Sequence, residues 1–489
     1  MSNKSIMGNR SQTATGTSEP IENVCAQWDA SHKADLHFAD KLYQGRRASL
    51  SLNIVVVGCG LGGLTAAYCL AQAGHKVTIL EAAPTIGDIG AGIQLSPNLT
   101  RLLIRWGLGK RLKEVAVKPE ALTFRRWCTG ETVAWTQWGG AIEEKYGAPY
   151  YHIHRADFLR MVYELAEPNC TIRTNCRVLS MNTSKPTLTL ESGEVVHADL
   201  VIGADGVKST LRQYVVGGVD QPRPTGDAAY RAIISTEKLL RNPDLRPLVE
   251  TPEMVGWMGP RCHIMGYNIR AKREYNLVMV HPDNNGDESW TAEGSTQRMR
   301  AEFAGWEPRI QKLLAMIPST LNWKLMDRDP LETWIHKDGK LVLLGDSCHP
   351  MLPYRAQGSA MAVEDAAVLG NLFSHLAHRS QIVPLLHAYQ SIRYDRATAT
   401  QDASRLNQHS FHLPDGPQQE ERDQQMRAAM EDALRIARGE RSTFNSAGNS
   451  NQWADEEKNT IQFGYDADEE AEKWWRKHGH TLMGPRSRM

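Results

Sequence analysis

No charge of either sign predominates in this chain. Lys+Arg and Asp+Glu stand at 56 each over 489 residues. Such a balance gives no electrostatic handle for nucleic acid or for an anionic membrane surface. Long apolar runs are also missing; none approaches the roughly 18 residues of a membrane span. Cys25, Cys59, Cys69, Cys128, Cys170, Cys176, Cys262 and Cys348 form no C-x-x-C pair and no metal-like spacing. They read as reduced thiols in a reducing, cytoplasmic setting. His336 and His349 lack ligand spacing, so no metal site is expected. There is no internal repeat. The first 50 residues have no apolar h-region, and Glu19, Glu22, Asp29, Asp35 and Asp40 argue against an acid-poor transit peptide. Residues 1–50 are expected to be a polar, largely disordered extension, at least to about Pro20. The C-terminal Arg486-Ser487-Arg488-Met489 carries no retention or peroxisomal tripeptide.

What is present suits two or three packed units with ordinary cores. Asn53–Gly58 is a short β-branched run and predicts a buried parallel strand. Leu61–Ala73 predicts a helix closed by Gly74, and Lys76–Glu81 a second strand. Ala156–Glu167 carries a helical stripe. Strands are expected at Thr171–Arg177, Thr187–Glu191 and Asp199–Gly203. Between about 225 and 330 the period changes. Ala228–Ser235, Glu253–Met258, Cys262–Arg270 and Tyr275–His281 read as antiparallel strands, followed by one amphipathic helix over Thr296–Met316. A parallel-type strand returns at Lys340–Gly345, then helices at Ser359–Leu376 and about Ser380–Asn407. The fold class expected is α/β: a Rossmann-like dinucleotide-binding domain, interrupted by a mainly antiparallel β-sheet substrate domain, with C-terminal helices. The boundaries read as 51–220 and 331–438 for the two parts of the first domain and 221–330 for the second. Residues 439–489 form a polar tail, within which Glu469–His478 is either a docking helix or frayed. Most of the thirteen tryptophans are expected in cores, with an aromatic pocket as a further use.

Three separated segments carry the chemistry. Gly58, Gly60 and Gly63 hold the G-x-G-x-x-G positions between a strand and a helix. The first allows the turn, the second lets a pyrophosphate approach the backbone, and the third lets helix pack on strand. The helix N-terminus then offers free N–H groups to phosphate. Glu81 ends the next strand, where a carboxylate accepts both ribose hydroxyls. This motif alone does not separate FAD from NAD. Asp346 follows the run Leu341–Leu344, at the strand end where α/β ligands bind, and can accept a ribityl hydroxyl. The amides of Gly358, Ser359 and Ala360 open the next helix and can reach a flavin phosphate and the N1–C2=O edge. The middle segment is Ala204-Asp205-Gly206, with Arg212 downstream.

Together these segments resemble the three fingerprints of the class A flavin monooxygenases, the para-hydroxybenzoate hydroxylase superfamily. Gly345–Gly358, His154–Asp157, Ala229–Ala232 and Trp257–Tyr267 are similar to the salicylate hydroxylase-like branch. The resemblance covers about residues 50–440. It implies non-covalent FAD, NAD(P)H as a transient donor and molecular oxygen as co-substrate, with hydroxylation of a small aromatic compound through a flavin C4a-hydroperoxide. It also implies that Asp205 serves both FAD and NAD(P)H, that Arg155 contacts FAD, that Gly92 and Gln94 border the flavin, and that Pro353 faces its ring.

On the substrate side, His263, Met265 and Tyr267 alternate on one predicted strand and share a face. The branch places a substrate-contacting His and Tyr at this spacing. The alternative is a structural histidine beside a core tyrosine. Arg231, on another strand of that sheet, offers a fork for a carboxylate or phenolate; otherwise it is an ion pair at a domain interface. Two competing readings share the fold. One is a flavin reductase that saturates alkenes without oxygen. The other is a flavin-free binding protein, as in the Rab GDP-dissociation inhibitors, against which Glu81, Asp205 and Asp346 speak. A monomer or homodimer is expected.

Overall fold

The computed structural model describes residues 42–87, 91–283, 293–442 and 444–482. Its first layer is a five-stranded parallel sheet in the spatial order Leu341–Leu343, Leu200–Gly203, Asn53–Val57, Lys76–Leu80, Thr171–Arg173. The strands are short, apolar and covered on both faces, as parallel sheets require. Helices Leu61–Gln72 and Gly358–Phe373 cross over it along a seam of small residues. A Cβ on Gly62 would sit 3.3 Å from that of Ala362, and one on Gly370 would sit 2.6 Å from that of Cys69. This order explains how motifs nearly 150 residues apart meet. The strands that precede Gly58, Ala204 and Leu344 are immediate neighbours, and all three segments leave from the same carboxyl edge.

The second layer is an eight-stranded sheet in the order 293–294, 320–327, 223–235, 274–282, 262–269, 253–259, 121–126, 132–137. Every pairing is antiparallel except that of 253–259 with 121–126. Two of its strands therefore come from within residues 51–220, so the substrate sheet is not confined to 221–330. The single helix expected over Thr296–Met316 is two, Thr296–Glu302 and Pro308–Ala315. Gly305 has φ +78° and Pro308 opens the second helix, so the chain turns between them.

A long helix, Ile382–Phe411, and a polar one, Pro417–Ala437, follow. The region read as a polar tail packs on the body over 444–482. Trp453, Phe463, Ala467 and Ala471 are all buried, and Ala467–Leu482 is a helix. Of the N-terminal extension, residues 1–41 lie outside the described residues; Leu42 and Tyr43 are already buried. The Cys348–His349–Asp365 cluster and its surroundings brace the turn after the Leu341–Leu343 strand. Asp365 accepts from the Gly345 amide at 3.0 Å and from His349 at 2.6 Å, and Arg393 donates to it at 2.8 Å. His349 is held protonated by its acidic neighbours despite burial, which by itself lowers it. Most of the described tryptophans are buried, Trp106, Trp138, Trp257 and Trp334 among them. Among the described residues no helix is long and apolar enough to cross a membrane.

Candidate active site

A cavity of about 660 Å³ lies between the two sheets. Its first half is built by the three carboxyl-edge turns. Gly60, Asp205, Asp346, Gly358 and Ser359 line it, with Arg155 and Gln94 at its side. Gly58 and Gly63 stand behind it. Gly58 has φ +104°, and a Cβ there would lie 2.4 Å from the Ala204 carbonyl oxygen; one on Gly63 would lie 2.0 Å from the Gly58 oxygen. These two shape the turn. Gly60 differs: nothing lies within 4 Å of where its Cβ would be, so its backbone faces open cavity. Glu81 does not line the cavity. Its carboxylate accepts from the amides of Cys59 and Ala83, each at 2.8 Å, and so ties the glycine turn to the next strand end. Ala360 is buried inside its helix, away from the cavity.

Asp346 is exposed to the cavity while protein surrounds it on its other sides. Its carboxylate makes no hydrogen bond to another described residue. Burial raises its pKa, while His349 and Arg155 pull it down. An acceptor set deep in a cavity without a protein donor suits a ligand hydroxyl. Asp205 lines the cavity, and its carboxylate is engaged by its own loop. Its carboxylate accepts from Ser209 Oγ at 2.6 Å and from the amides of Thr210 and Leu211 at 2.8 and 3.1 Å, so it caps its own loop at the cavity edge. Gly92 accepts close contact with Tyr267, since a Cβ there would come 2.6 Å from the ring. Its amide donates to Asn276 at 2.7 Å. The open backbone at Gly60, the cavity-facing Asp346 and the two helix N-termini fit FAD.

The second half is walled by the eight-stranded sheet. His263, Met265 and Tyr267 all line the cavity, as their alternation predicts, with Arg231 two strands away. His263 is buried, and its Nδ1 lies 2.8 Å from Nε2 of His412. Burial, then the neighbouring histidine, holds its pKa well below the usual imidazole range, so it is neutral at pH 7. A value near 7, the usual optimum for a base, is not what this environment gives. Tyr267 is pushed up to about 12 by burial, against a lowering by Arg231. The Arg231 guanidinium stacks on the Trp323 ring, 4.2 Å from its centroid. Pro353 opens a short 3₁₀ turn on the cavity wall beside Tyr354. Sequence reasoning did not single out Trp323, Phe411, Trp453 or His412. Trp453 and Phe411 stack on each other and line the cavity. The one sequence signal for Trp453 is an isolated large aromatic in an otherwise polar stretch.

A cleft edged by three carboxyl-edge turns and opening onto a sheet-walled, aromatic-lined chamber defines the class as a flavin-binding α/β protein with a substrate chamber. The chain belongs to the family described as FAD binding domain, whose model matches residues 51–404, and is an FAD-dependent aromatic monooxygenase. It is 38% identical over 379 residues to an FAD-dependent monooxygenase of Beauveria bassiana, covering 77% of this chain and 89% of that protein. It is 37% identical over 379 residues to a 3-amino-4-hydroxybenzoate 2-monooxygenase of Streptomyces platensis, covering 77% and 92%. In fold it is similar to a salicylate hydroxylase solved as a substrate complex, with TM-score 0.68 and 24% identity, covering 87% of this chain and 98% of that one.

Proposed function

We propose that the protein uses NAD(P)H and O2 to hydroxylate a phenolic ring that also carries an acidic or second oxygen group. The observation that carries this reading is the meeting of His263, Tyr267 and Arg231 on one wall of the cavity whose other half fits FAD. FAD, held by the Gly60 turn, Asp346 and the Gly358–Ser359 helix start, would supply the redox chemistry that couples NAD(P)H and O2 to the ring. The chain's own residues prepare the substrate.

Removing the phenol proton makes the ring carbons ortho and para to it nucleophilic. His263 is neutral, and its Nδ1 is engaged by His412, so Nε2 is the nitrogen left to accept that proton. An anion formed beside it favours the protonated ring, which offsets part of the burial effect. Tyr267 stays protonated at neutral pH and, from the same wall, offers a hydrogen-bond donor to a substrate oxygen. Arg231 faces a carboxylate or second oxygen with a charge-assisted hydrogen bond. Met254, Met265, Val278, Val280, Phe411 and Trp453 make the chamber apolar and exclude water. Oxygen enters ortho or para to the phenolate, with loss of CO2 where that carbon bears a carboxylate. The Streptomyces platensis relative is named for a phenol bearing a carboxylate, which supports this substrate class.

The test is a panel of hydroxybenzoates and polyketide phenols, scored for substrate-stimulated NAD(P)H oxidation matched by hydroxylated product. His263→Ala is expected to lower the hydroxylation rate by about 10²–10⁴ with normal FAD content. An unchanged rate and product ratio in both His263→Ala and Tyr267→Phe removes them from the mechanism.

A further inference from the structure

His263 faces two ways. Its ring lines the inner cavity, and its Nδ1 meets Nε2 of His412 at 2.8 Å. His412 is the C-cap of the Ile382–Phe411 helix. It also lines a second, outer pocket of about 300 Å³, together with Arg405, Gln408, His409 and Gln418. His409 and Gln418 are exposed, so this pocket opens at the surface. His412 Nδ1 lies 3.7 Å from Oδ2 of Asp227. That oxygen also accepts from Gln408 Nε2 at 2.6 Å and from the Tyr354 hydroxyl. His412 thus joins the buried chamber to the outer pocket, through a single 2.8 Å contact with His263.

We propose that His412 forms, with His263, a proton exit from the substrate chamber to the outer pocket, with His412 as the relay and Asp227 as a charge that favours a proton on its Nδ1. The proposal rests on the reading of His263 as the base. The two rings are close enough that one nitrogen must donate and the other accept. With both rings neutral, the tautomer carrying a proton on Nδ1 of each has His263 donating to His412 Nε2, and His412 Nδ1–H facing Asp227. The transfer then balances at every centre. The substrate O–H bond breaks as an N–H bond forms at His263 Nε2. The His263 Nδ1–H bond breaks as one forms at His412 Nε2. The proton on His412 Nδ1 leaves to water in the outer pocket, which His412 lines. Both rings end neutral in the opposite tautomer, and the substrate is left as phenolate. No oxidant or reductant is needed.

The relay resolves a difficulty of the site. A single histidine buried this deeply is a poor store for a proton, because burial penalises its charged form. A pair that passes the proton on has no need to store it. His412 is likewise lowered to about 4, by burial first, with Asp227 raising it and Arg261 lowering it. The ionisable groups facing the pair are Asp227, Tyr354, Arg261, Cys262 and, in the outer pocket, Arg405 and His409. Tyr354 and Cys262 are both raised, mainly by burial, and stay protonated. Arg261 also anchors the relay residue, its amide donating to the His412 carbonyl at 3.0 Å.

The experiment uses the FAD-loaded enzyme and the panel phenol with the highest turnover. Wild type, His263→Ala, His412→Gln and His412→Ala are compared for kcat, KM and product per NAD(P)H across pH 6–9. His412→Ala is repeated with added imidazole, which the outer pocket can admit. His412→Gln is expected to lose on the order of 10²-fold in kcat at pH 7 with KM and FAD content unchanged. The loss should shrink toward pH 9, as the phenol ionises in solution, and imidazole should restore His412→Ala saturably. If His263→Ala is impaired while both His412 variants match wild type, the relay is overturned and the base reading stands. A loss in the His412 variants that is equal at every pH and deaf to imidazole means a structural role and also overturns the relay. If His263→Ala itself matches wild type, or no panel phenol is turned over, the base reading fails and takes the relay with it.

Discussion

At the scale of single residues, the three motif glycines do different work. Gly63 packs within 2.0 Å of the Gly58 carbonyl oxygen at its Cβ position, whereas Gly60 faces open cavity. Gly63→Ala therefore strikes backbone. It is expected to cost about 1–3 kcal/mol of stability, read as a fall of several °C in the Tm of the FAD-free protein. Gly60→Ala should leave that Tm nearly unchanged and weaken FAD by about 5- to 100-fold, because its methyl enters ligand space. Normal FAD titration of Gly60→Ala would remove this residue from the cradle. Both glycines were legible as a motif; which one fits ligand and which fits backbone was not, because spacing carries no distances. The same holds for Asp205 and Glu81. Their positions read as ligand contacts, yet their carboxylates are satisfied by nearby backbone amides. Asp346, which makes no such bond, is the acid whose environment asks for a ligand.

At the scale of elements, sequence periodicity located the parallel strands and the His263–Tyr267 strand because each is a short run with one clear period. It failed where burial is polar or where partners are remote. The helix Pro417–Ala437 buries Gln419, Arg422, Asp423 and Asp432 alongside Met426 and Ala429, so polar residues interrupt the apolar stripe on its inward face. Strands Ala121–Arg126 and Thr132–Gln137 join a sheet whose other strands begin a hundred residues later. Trp453 belongs to the same class of surprise. It lies beyond the residues matched by the family model, yet it stacks on Phe411 and walls the chamber. Phe411 in turn lies 5.4 Å from the His263 ring, so this wall belongs to the substrate half. Trp453→Ala should therefore cost about 3–5 kcal/mol of stability and raise KM for the phenol, while FAD content is retained. An unchanged KM, measured at a temperature where the variant is folded, would show that the C-terminal segment supports the chamber without shaping it.

At the scale of the whole molecule, two layers divide the work. The parallel sheet gathers three distant turns at one edge to grip FAD, and the large, mainly antiparallel sheet roofs the flavin half with an aromatic-lined chamber. The central claim is that this pairing places one atom of O2 on a phenolic ring at the expense of NAD(P)H. The most direct measurement is single-substrate turnover under ¹⁸O2, with mass analysis of the organic product and simultaneous NAD(P)H consumption. The account predicts a product bearing one ¹⁸O atom for about each NAD(P)H oxidised. NAD(P)H-dependent conversion of the substrate with no label from ¹⁸O2 in the product would contradict it, and would point instead to a reductase built on the same fold.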